Sequence, residues 1–418
     1  MKLSYVIVTR NRRDTLLRTL ELLEQNTHLP RSSWEVFVID NASDDGTADA
    51  VSRAYRDTTV IRLAENEGVP ARNHALRPSR GRYVVFLDDD SFPLDDAIPR
   101  SLAYLSRHPK TAALVARVML PNGNAEAPAM PAITLGGASV MRRSVLEEVG
   151  GFAPEFFRQA EEYDLSFRIW NAGYRIERFE DILFGHDKVA GGRSSALTRR
   201  MDLRNNLILT ERYLPRPMRR VYRHDWLRRY GALGLHEGHH LALNTAVKEA
   251  HVWARREASV GRRLLHEATL EAVFQWNAQA KAIADWSRAN QIRRVAIADV
   301  SKNIYATYRG CREAGLEIGA VLESSPAFAG STYRHLSIIP DAQAGNLAFD
   351  GIVLSTVNPA QVDSRAQALA AWYNKPILRL WEPKYLDAGS HNSPKPHPDP
   401  VAADPAFAPL APPKRPAA

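Results

Sequence analysis

The run Tyr5-Val6-Ile7-Val8 is uninterruptedly apolar and stops at Arg10-Asn11, which predicts a strand buried on both faces. Leu16, Leu17, Leu20 and Leu23 then recur at helical spacing behind Asp14, a candidate N-cap. Val36-Phe37-Val38-Ile39 predicts a second buried strand, ending in the polar stretch Asp40-Asn41-Ala42-Ser43-Asp44-Asp45-Gly46. A helix is predicted over 47–55, a short strand over 60–63, and the start of another helix over 71–76. Tyr83-Val84-Val85-Phe86-Leu87 predicts a further strand that runs into Asp88-Asp89-Asp90. Strands alternating with helices imply an α/β fold with a largely parallel sheet covered on both faces. Ligands of such sheets bind beyond the carboxyl ends of the strands. Those ends carry Thr9, Arg10, Asp40, Asn41 and the three aspartates.

The pattern changes twice further on. Residues 197–290 are rich in Arg, Ala, Leu and Glu at helical spacing and carry several tryptophans. Strand-like runs return at 295–298, 318–322, 352–354 and 377–380, with helices between several of them, predicting a second, smaller α/β unit. Its first turn, Asp299-Val300-Ser301-Lys302-Asn303, lacks the Gly-x-Gly-x-x-Gly that lets backbone approach a pyrophosphate. A structural or acceptor-organising role is therefore expected there, not dinucleotide binding. From Ser390 onward proline and alanine dominate and no apolar period survives, which predicts disorder. The expected boundaries are 1–210, 211–290, 291–383 and 384–418.

With 418 residues the chain can bury more than one core. Its one cysteine, Cys311, rules out an intramolecular disulfide framework and fits a reducing compartment. The first apolar run is short for a secretory signal core, and nowhere do about 18 uncharged apolar residues run together. A cytoplasmic protein is expected. The net charge of +8 is moderate, but Arg212, Arg216, Arg219, Arg220, Arg223, Arg228 and Arg229 crowd one segment. That segment is either a solvated helical face or a patch for an anionic partner, such as the inner face of a membrane.

Three aspartates at the end of an apolar strand raise one another's pKa unless a cation sits among them. Mg2+ or Mn2+, which prefer oxygen ligands, would supply that charge. Asp88 and Asp90 point to the same side of an extended chain, so both reach one ion or its diphosphate ligand. The alternative is a solvated acidic turn. At Glu161-Glu162-Tyr163-Asp164 the alternatives are acids that favour a helix N-terminus and a functional cluster.

Six stretches, in order, carry a resemblance to the inverting family 2 glycosyltransferases of the GT-A fold. They are residues 5–12, 38–47, Asn66-Glu67-Gly68-Val69-Pro70-Ala71-Arg72-Asn73, Phe86-Leu87-Asp88-Asp89-Asp90, Gly136-Gly137-Ala138-Ser139 and residues 161–168. The resemblance covers roughly residues 3–210. It implies a GT-A nucleotide-sugar-binding domain, with the helical segment and a Rossmann-like unit appended. It implies donor contacts at Thr9, Arg10, Asn11, Asp40, Asn41, Asn66, Gly68, Arg72, Asp88 and Asp89. It also implies metal contacts at Asp90 and Asp88, and a general base at Glu162, where the family most often has aspartate. That departure leaves Glu161, Glu162 and Asp164 all as candidates for the proton acceptor. His186, after Ile182-Leu183-Phe184-Gly185, stands where related enzymes often place a further metal ligand, and Gly191-Gly192-Arg193-Ser194 reads as a loop that closes over the donor.

The implied reaction is a single displacement, with a carboxylate taking the acceptor's hydroxyl proton and inversion at the anomeric carbon. The implied setting is bacterial surface-polysaccharide synthesis, with a UDP- or dTDP-sugar donor and a glycan or lipid-linked acceptor. No nucleic-acid partner is expected, and Trp226, Trp253, Trp276 and Trp286 could hide an oligomer interface. Two other readings remain. One is a sugar-nucleotide-binding protein without a working base. The other is a zinc hydrolase, since His236-Glu237-Gly238-His239-His240 matches the zinc-protease helix motif.

Overall fold

The computed structural model describes residues 1–188 and 195–387. The expected closing loop at 191–194 and the tail beyond 387 lie outside them. The N-terminal half runs β1 (Leu3–Thr9), α1 (Arg13–Asn26), β2 (Trp34–Asp40), α2 (Thr47–Ala54), β3 (Thr58–Arg62), β4 (Tyr83–Asp88) and β5 (Ser91–Pro93). It continues with α3 (Ala97–Arg107), β6 (Thr111–Met119), β7 (Ala125–Glu126), β8 (Ser139–Arg142), α4 (Arg143–Val149), α5 (Glu161–Asn171) and β9 (Arg175–His186). The strands form one mixed sheet in the order β3-β2-β1-β4-β8-β6-β9-β5, with β7 paired to β6. β3, β2, β1 and β4 are mutually parallel, with Thr9 opposite Asp40 and Val8 opposite Asp88. Three strand ends therefore finish side by side on one edge.

Both faces of this sheet are apolar, as the unbroken strand runs require. Tyr5, Ile7, Val38, Val85 and Leu87 pack with Leu16, Leu20, Leu102 and Leu105 on one face. Val6, Phe37, Ile39, Val84 and Phe86 pack with Val145, Leu146 and Leu165 on the other. Two local expectations change. α1 begins at Arg13 without a side-chain cap, so Asp14 lies in its first turn and pairs with Arg13 instead. Residues 69–75 form a 3-10 helix in place of an α-helix start. Gly68 enters it at φ +69°, so close to Phe157 that a Cβ would stand 2.1 Å from the Phe157 carbonyl oxygen.

Five helices follow: α6 (Ser195–Tyr213), α7 (Arg216–His236), α8 (His240–Val260), α9 (Glu267–Phe274) and α10 (Trp276–Ala289). They share a core with the first unit, where Tyr163 and Phe167 of α5 meet Ile208, Tyr213, Tyr222, Trp226 and Phe274. The second sheet comprises β10 (Arg294–Ala298), β11 (Glu317–Glu323), β12 (Thr332–Tyr333), β13 (Leu336–Pro340), β14 (Gly351–Leu354) and β15 (Ile377–Leu378), with α11 (Ile304–Glu313) and α12 (Val362–Trp372) between strands. Its order is β12-β13-β11-β10-β14-β15. Ile283 of α10 is buried in its core.

After β15 the chain returns to the first sheet. Glu180 N–H of β9 donates to the Lys384 carbonyl at 2.8 Å, and the Asp181 carboxylate accepts from the backbone N–H groups of Leu386 (2.7 Å) and Asp387 (3.1 Å). Leu386 packs against the first core. Among the described residues no helix is long and apolar enough to cross a membrane.

Candidate active site

A cleft of about 1260 Å³ opens over the carboxyl ends of β1, β2 and β4. Thr9, Arg10, Asn11, Asn41, Asn66, Gly68, Arg72, Asp88, Asp89, Glu161, Glu162 and His186 all line it. The β2 end is shaped by side-chain bonds to backbone. Asp40 accepts from Ser43 N–H at 3.0 Å, and Asn41 bridges residues 67 and 68, accepting from Glu67 N–H at 2.8 Å and donating to the Gly68 carbonyl at 3.1 Å. These bonds fix the rim as a rigid turn; Asp40 itself is buried just beneath it.

The three aspartates divide their work. Asp88 accepts from the buried Arg72 guanidinium at 2.6 Å. Asp89 turns inward, accepting from the Thr9 hydroxyl at 2.9 Å and pairing with Arg12 at 2.8 Å. Burial and the charges of Asp90 and Asp88 outweigh Arg12 and push the Asp89 carboxyl up to about 7. Asp90 is 1% exposed and pairs with the second Arg12 nitrogen at 2.8 Å. Arg12 therefore clamps the aspartate turn from below.

β5 leaves this turn antiparallel to β9, with Ser91 opposite His186, and Asp187 N–H donates to the Asp90 carbonyl. This pairing brings His186 to Asp90. His186 Nε2 lies 3.1 Å from Asp90 Oδ1, yet both atoms are buried without a hydrogen-bond partner. Two unsatisfied polar atoms facing each other at that distance fit a shared cation. Asp88, Asp90 and His186 each offer one ligand atom, all within 4.8 Å of one another, a donor set suited to Mn2+ or Mg2+. The other ring nitrogen, Nδ1, is 2.9 Å from Glu126 of β7, which also meets Lys188 at 3.2 Å. Burial alone would lower the His186 pKa, but the Asp90 and Glu126 carboxylates raise it to about 10. Gly137 passes so close that a Cβ would stand 3.1 Å from Asp88 Oδ2.

Across the cleft, α5 begins at Glu161 after Gln159 (φ 66°) and Ala160 (φ 63°). The Asn205 amide donates to the carbonyls of Arg158 (2.8 Å) and Gln159 (2.7 Å), holding this left-handed pair in place. Burial and the charges of Glu162 and Asp88 push the Glu161 carboxyl well above the usual range. Glu162 is raised by burial and by Asp202, while Lys302 and Glu161 pull it back. Asp164, the third sequence candidate for the base, does not join them. It is fully buried and held by Arg168 (2.6 Å), Arg212 (3.1 Å) and the Tyr213 hydroxyl (2.6 Å).

One other candidate feature dissolves and a second shrinks. His236 ends α7, Gly238 turns at φ 79° and His240 starts α8, so the zinc-protease motif straddles a turn and cannot present His236 and His240 from one helix. Glu237 pairs with Arg199 instead. The arginine cluster is only partly spent inside the molecule, with Arg216 and Arg220 exposed. Arg212 binds Glu155, Asp164 and Glu257, Arg219 and Arg223 face Glu211, and Arg228 and Arg229 donate to Thr332 and Val300 carbonyls. Trp226 is buried in the shared core and does not face outward. Sequence reasoning passed over Arg12 and Glu126, which line the cleft, and Lys302, which acts on Glu162 from outside it. Arg12 sat within a recognised stretch, whereas the other two stood in no motif at all.

Residues 4–199 match Glycosyl transferase family 2. The poly(ribitol-phosphate) beta-glucosyltransferase of Bacillus spizizenii is 30% identical over 105 residues, 24% of this chain and 16% of that protein. The poly(ribitol-phosphate) beta-N-acetylglucosaminyltransferase TarS of Staphylococcus aureus is 24% identical over 200 residues, 43% of this chain and 34% of that protein. This chain thus spans well under half the length of these relatives. A crystal structure of Staphylococcus aureus TarS with UDP aligns at a TM-score of 0.41 and 19% identity, covering 62% of this chain and 91% of that one.

Proposed function

We propose that this chain, whose residues 4–199 match Glycosyl transferase family 2, is a metal-dependent, inverting glycosyltransferase. It moves a hexose or deoxyhexose from a UDP- or dTDP-sugar to a glycan or lipid-linked acceptor in bacterial surface-polysaccharide synthesis. The observation that carries the reading is the convergence of two groups on one cleft. Asp88, Asp90 and His186 face one another, and Asp88 and His186 line the same cleft as Glu161 and Glu162. The relatives whose names describe sugar transfer to poly(ribitol-phosphate) support the setting.

Asp88, Asp90 and His186 would hold Mn2+ or Mg2+, which supplies positive charge against a departing diphosphate. The chain's own residues do the rest. The turn at Asp40, Asn41 and Gly68 receives the nucleoside, with Thr9, Arg10 and Asn11 closing the first strand end and Asn66 shaping the far rim. Arg72 neutralises Asp88 and the nearby diphosphate. Glu161 keeps its proton, being pushed well above the carboxylate range. Glu162, in the field of Lys302, takes the acceptor's hydroxyl proton as that oxygen attacks the anomeric carbon from the face opposite the nucleotide.

Calorimetric binding of UDP and dTDP, with and without Mn2+, tests the reading in the wild type and in Asp90→Ala. The expected result is metal-dependent binding that weakens by at least about 100-fold in the variant. If neither nucleotide binds under any condition, the reading fails. Tight metal-dependent binding without release of UDP from any UDP-sugar would instead favour a binding protein that performs no transfer.

A further inference from the structure

The carboxyl end of β10, where a doubly wound sheet takes its ligand, is occupied by the protein's own helices. The chain leaves Ala298 through Asp299 at φ 74° and buries Val300, Lys302 and Asn303. Trp226 Nε1 of α7 donates to the Lys302 carbonyl at 2.8 Å, and the Tyr222 hydroxyl donates to Asn303 Oδ1 at 2.6 Å. Asn303 Nδ2 donates to the Phe274 carbonyl at 2.8 Å, and Val300 N–H donates to Glu323 at 2.8 Å. With the Ser301 hydroxyl donating to the Ser355 carbonyl at 2.8 Å, every residue of the loop from 300 to 303 is tied down, and the tie delivers one side chain.

Lys302 is 4% exposed. Its ammonium lies 3.2 Å from the ring centre of Tyr163, the residue after Glu162, and 4.9 Å from that of Trp226. Among the described residues no carboxylate stands within ion-pairing distance of it. Burial lowers its pKa to about 7, so the ammonium is fully charged only below that. The two ring faces and the longer-range fields of Glu162 on α5 and Asp202 on α6 work against the lowering, and Arg229 on α7 adds to it. Burial and the charges of Asp202 and Glu162 also raise the pKa of Tyr230 on α7. A lysine that serves packing alone is poorly placed here, because leaving it without a paired carboxylate costs more than an apolar side chain of the same length.

We infer that Lys302 is a positioning residue for sugar transfer: carried in by the second sheet, its ammonium stands behind the first turn of α5 and holds the Glu162 carboxylate ionised toward the cleft. The inference rests on Glu162 being the base. The acceptor's proton passes to Glu162, and no bond forms to Lys302. The second α/β unit then contributes to the active site itself.

The test follows UDP release from UDP-glucose and UDP-N-acetylglucosamine by the full chain with Mn2+, water being the acceptor, across about pH 5 to 9. In Lys302→Met the acid limb of the rate moves to higher pH by about one unit, so release below the limb falls about tenfold while the donor KM holds. Lys302→Arg keeps the limb near that of the wild type. In Asp202→Asn, which removes a like charge from Glu162, the limb moves the other way, to lower pH. An unmoved limb in Lys302→Met, or a loss equal at every pH, overturns the inference. If that variant does not fold, an unmoved limb in Asp202→Asn overturns it instead. Glu162→Gln separates the two readings. Release retained there removes Glu162 as base, whereas release lost there with unmoved limbs in the other variants removes only the role of Lys302.

Discussion

His186 stands between two carboxylates, and its proton is the competitor of any metal. With Asp90 and Glu126 holding its pKa at about 10, Mn2+ uptake below that pH displaces a proton, so affinity rises about tenfold per pH unit. Calorimetry at several pH values should show this slope in the wild type and its loss in His186→Gln. The same shift sets a stability window for the metal-free protein. The folded pKa lies above the unfolded one, so the contribution is full below about pH 6.5 and is lost as pH rises through about 10. Glu126→Gln should weaken Mn2+ by about 10–100-fold, because it removes the partner that orients the ring. Asp88 and Asp90 stood out in the sequence at the end of a buried strand, whereas His186 was named through the resemblance to the family 2 glycosyltransferases. Glu126 was not legible. It sits on a strand of two residues, Ala125–Glu126, with no apolar period to mark it, and only the pairing of β7 with β6 brings it to His186.

At the scale of elements, the start of α5 depends on a helix that follows it. Asn205 of α6 holds the Arg158 and Gln159 carbonyls, and with them two residues of positive φ. Asn205→Ala should cost about 1–3 kcal/mol in urea unfolding and lower the rate of UDP release more than it weakens UDP binding. An equal fall in both would assign Asn205 to general packing. The apolar runs announced β1, β2, β4 and the main strands of the second sheet, since a parallel strand covered on both faces has no polar position to confuse its period. The misreadings came where chain geometry overrode composition. Gly68 and Pro70 turned an expected α-helix start into a 3-10 helix, and a left-handed Gly238 split the five-residue histidine motif between two helices. Such switches depend on one backbone angle, which residue type alone does not fix.

At the scale of the molecule, the helices are a joint between the two sheets. Trp226 is 1% exposed and packs with residues of the first unit while its indole N–H binds the Lys302 carbonyl of the second. Trp226→Ala should therefore cost about 3–5 kcal/mol. Differential scanning calorimetry should show both units melting at lower temperature, not one of them alone. The strap at 384–387 is a second joint. Asp181→Ala removes the carboxylate that binds Arg100 and two strap N–H groups. Hydrogen exchange should then open Leu386 and Asp387 while Leu3–Thr9 stays protected. Neither joint was visible in the sequence, because both are contacts between residues that no local pattern relates.

The strap also sets an order of events during synthesis. Asp181 leaves the ribosome 206 residues before the Asp387 N–H that it will accept. At about 5–20 residues per second that is a wait of roughly ten to forty seconds. Through that interval Asp181 lacks its two strap N–H donors, and the apolar patch awaiting Leu386 is open to solvent. The nascent N-terminal half thus keeps that patch uncovered until the strap has emerged.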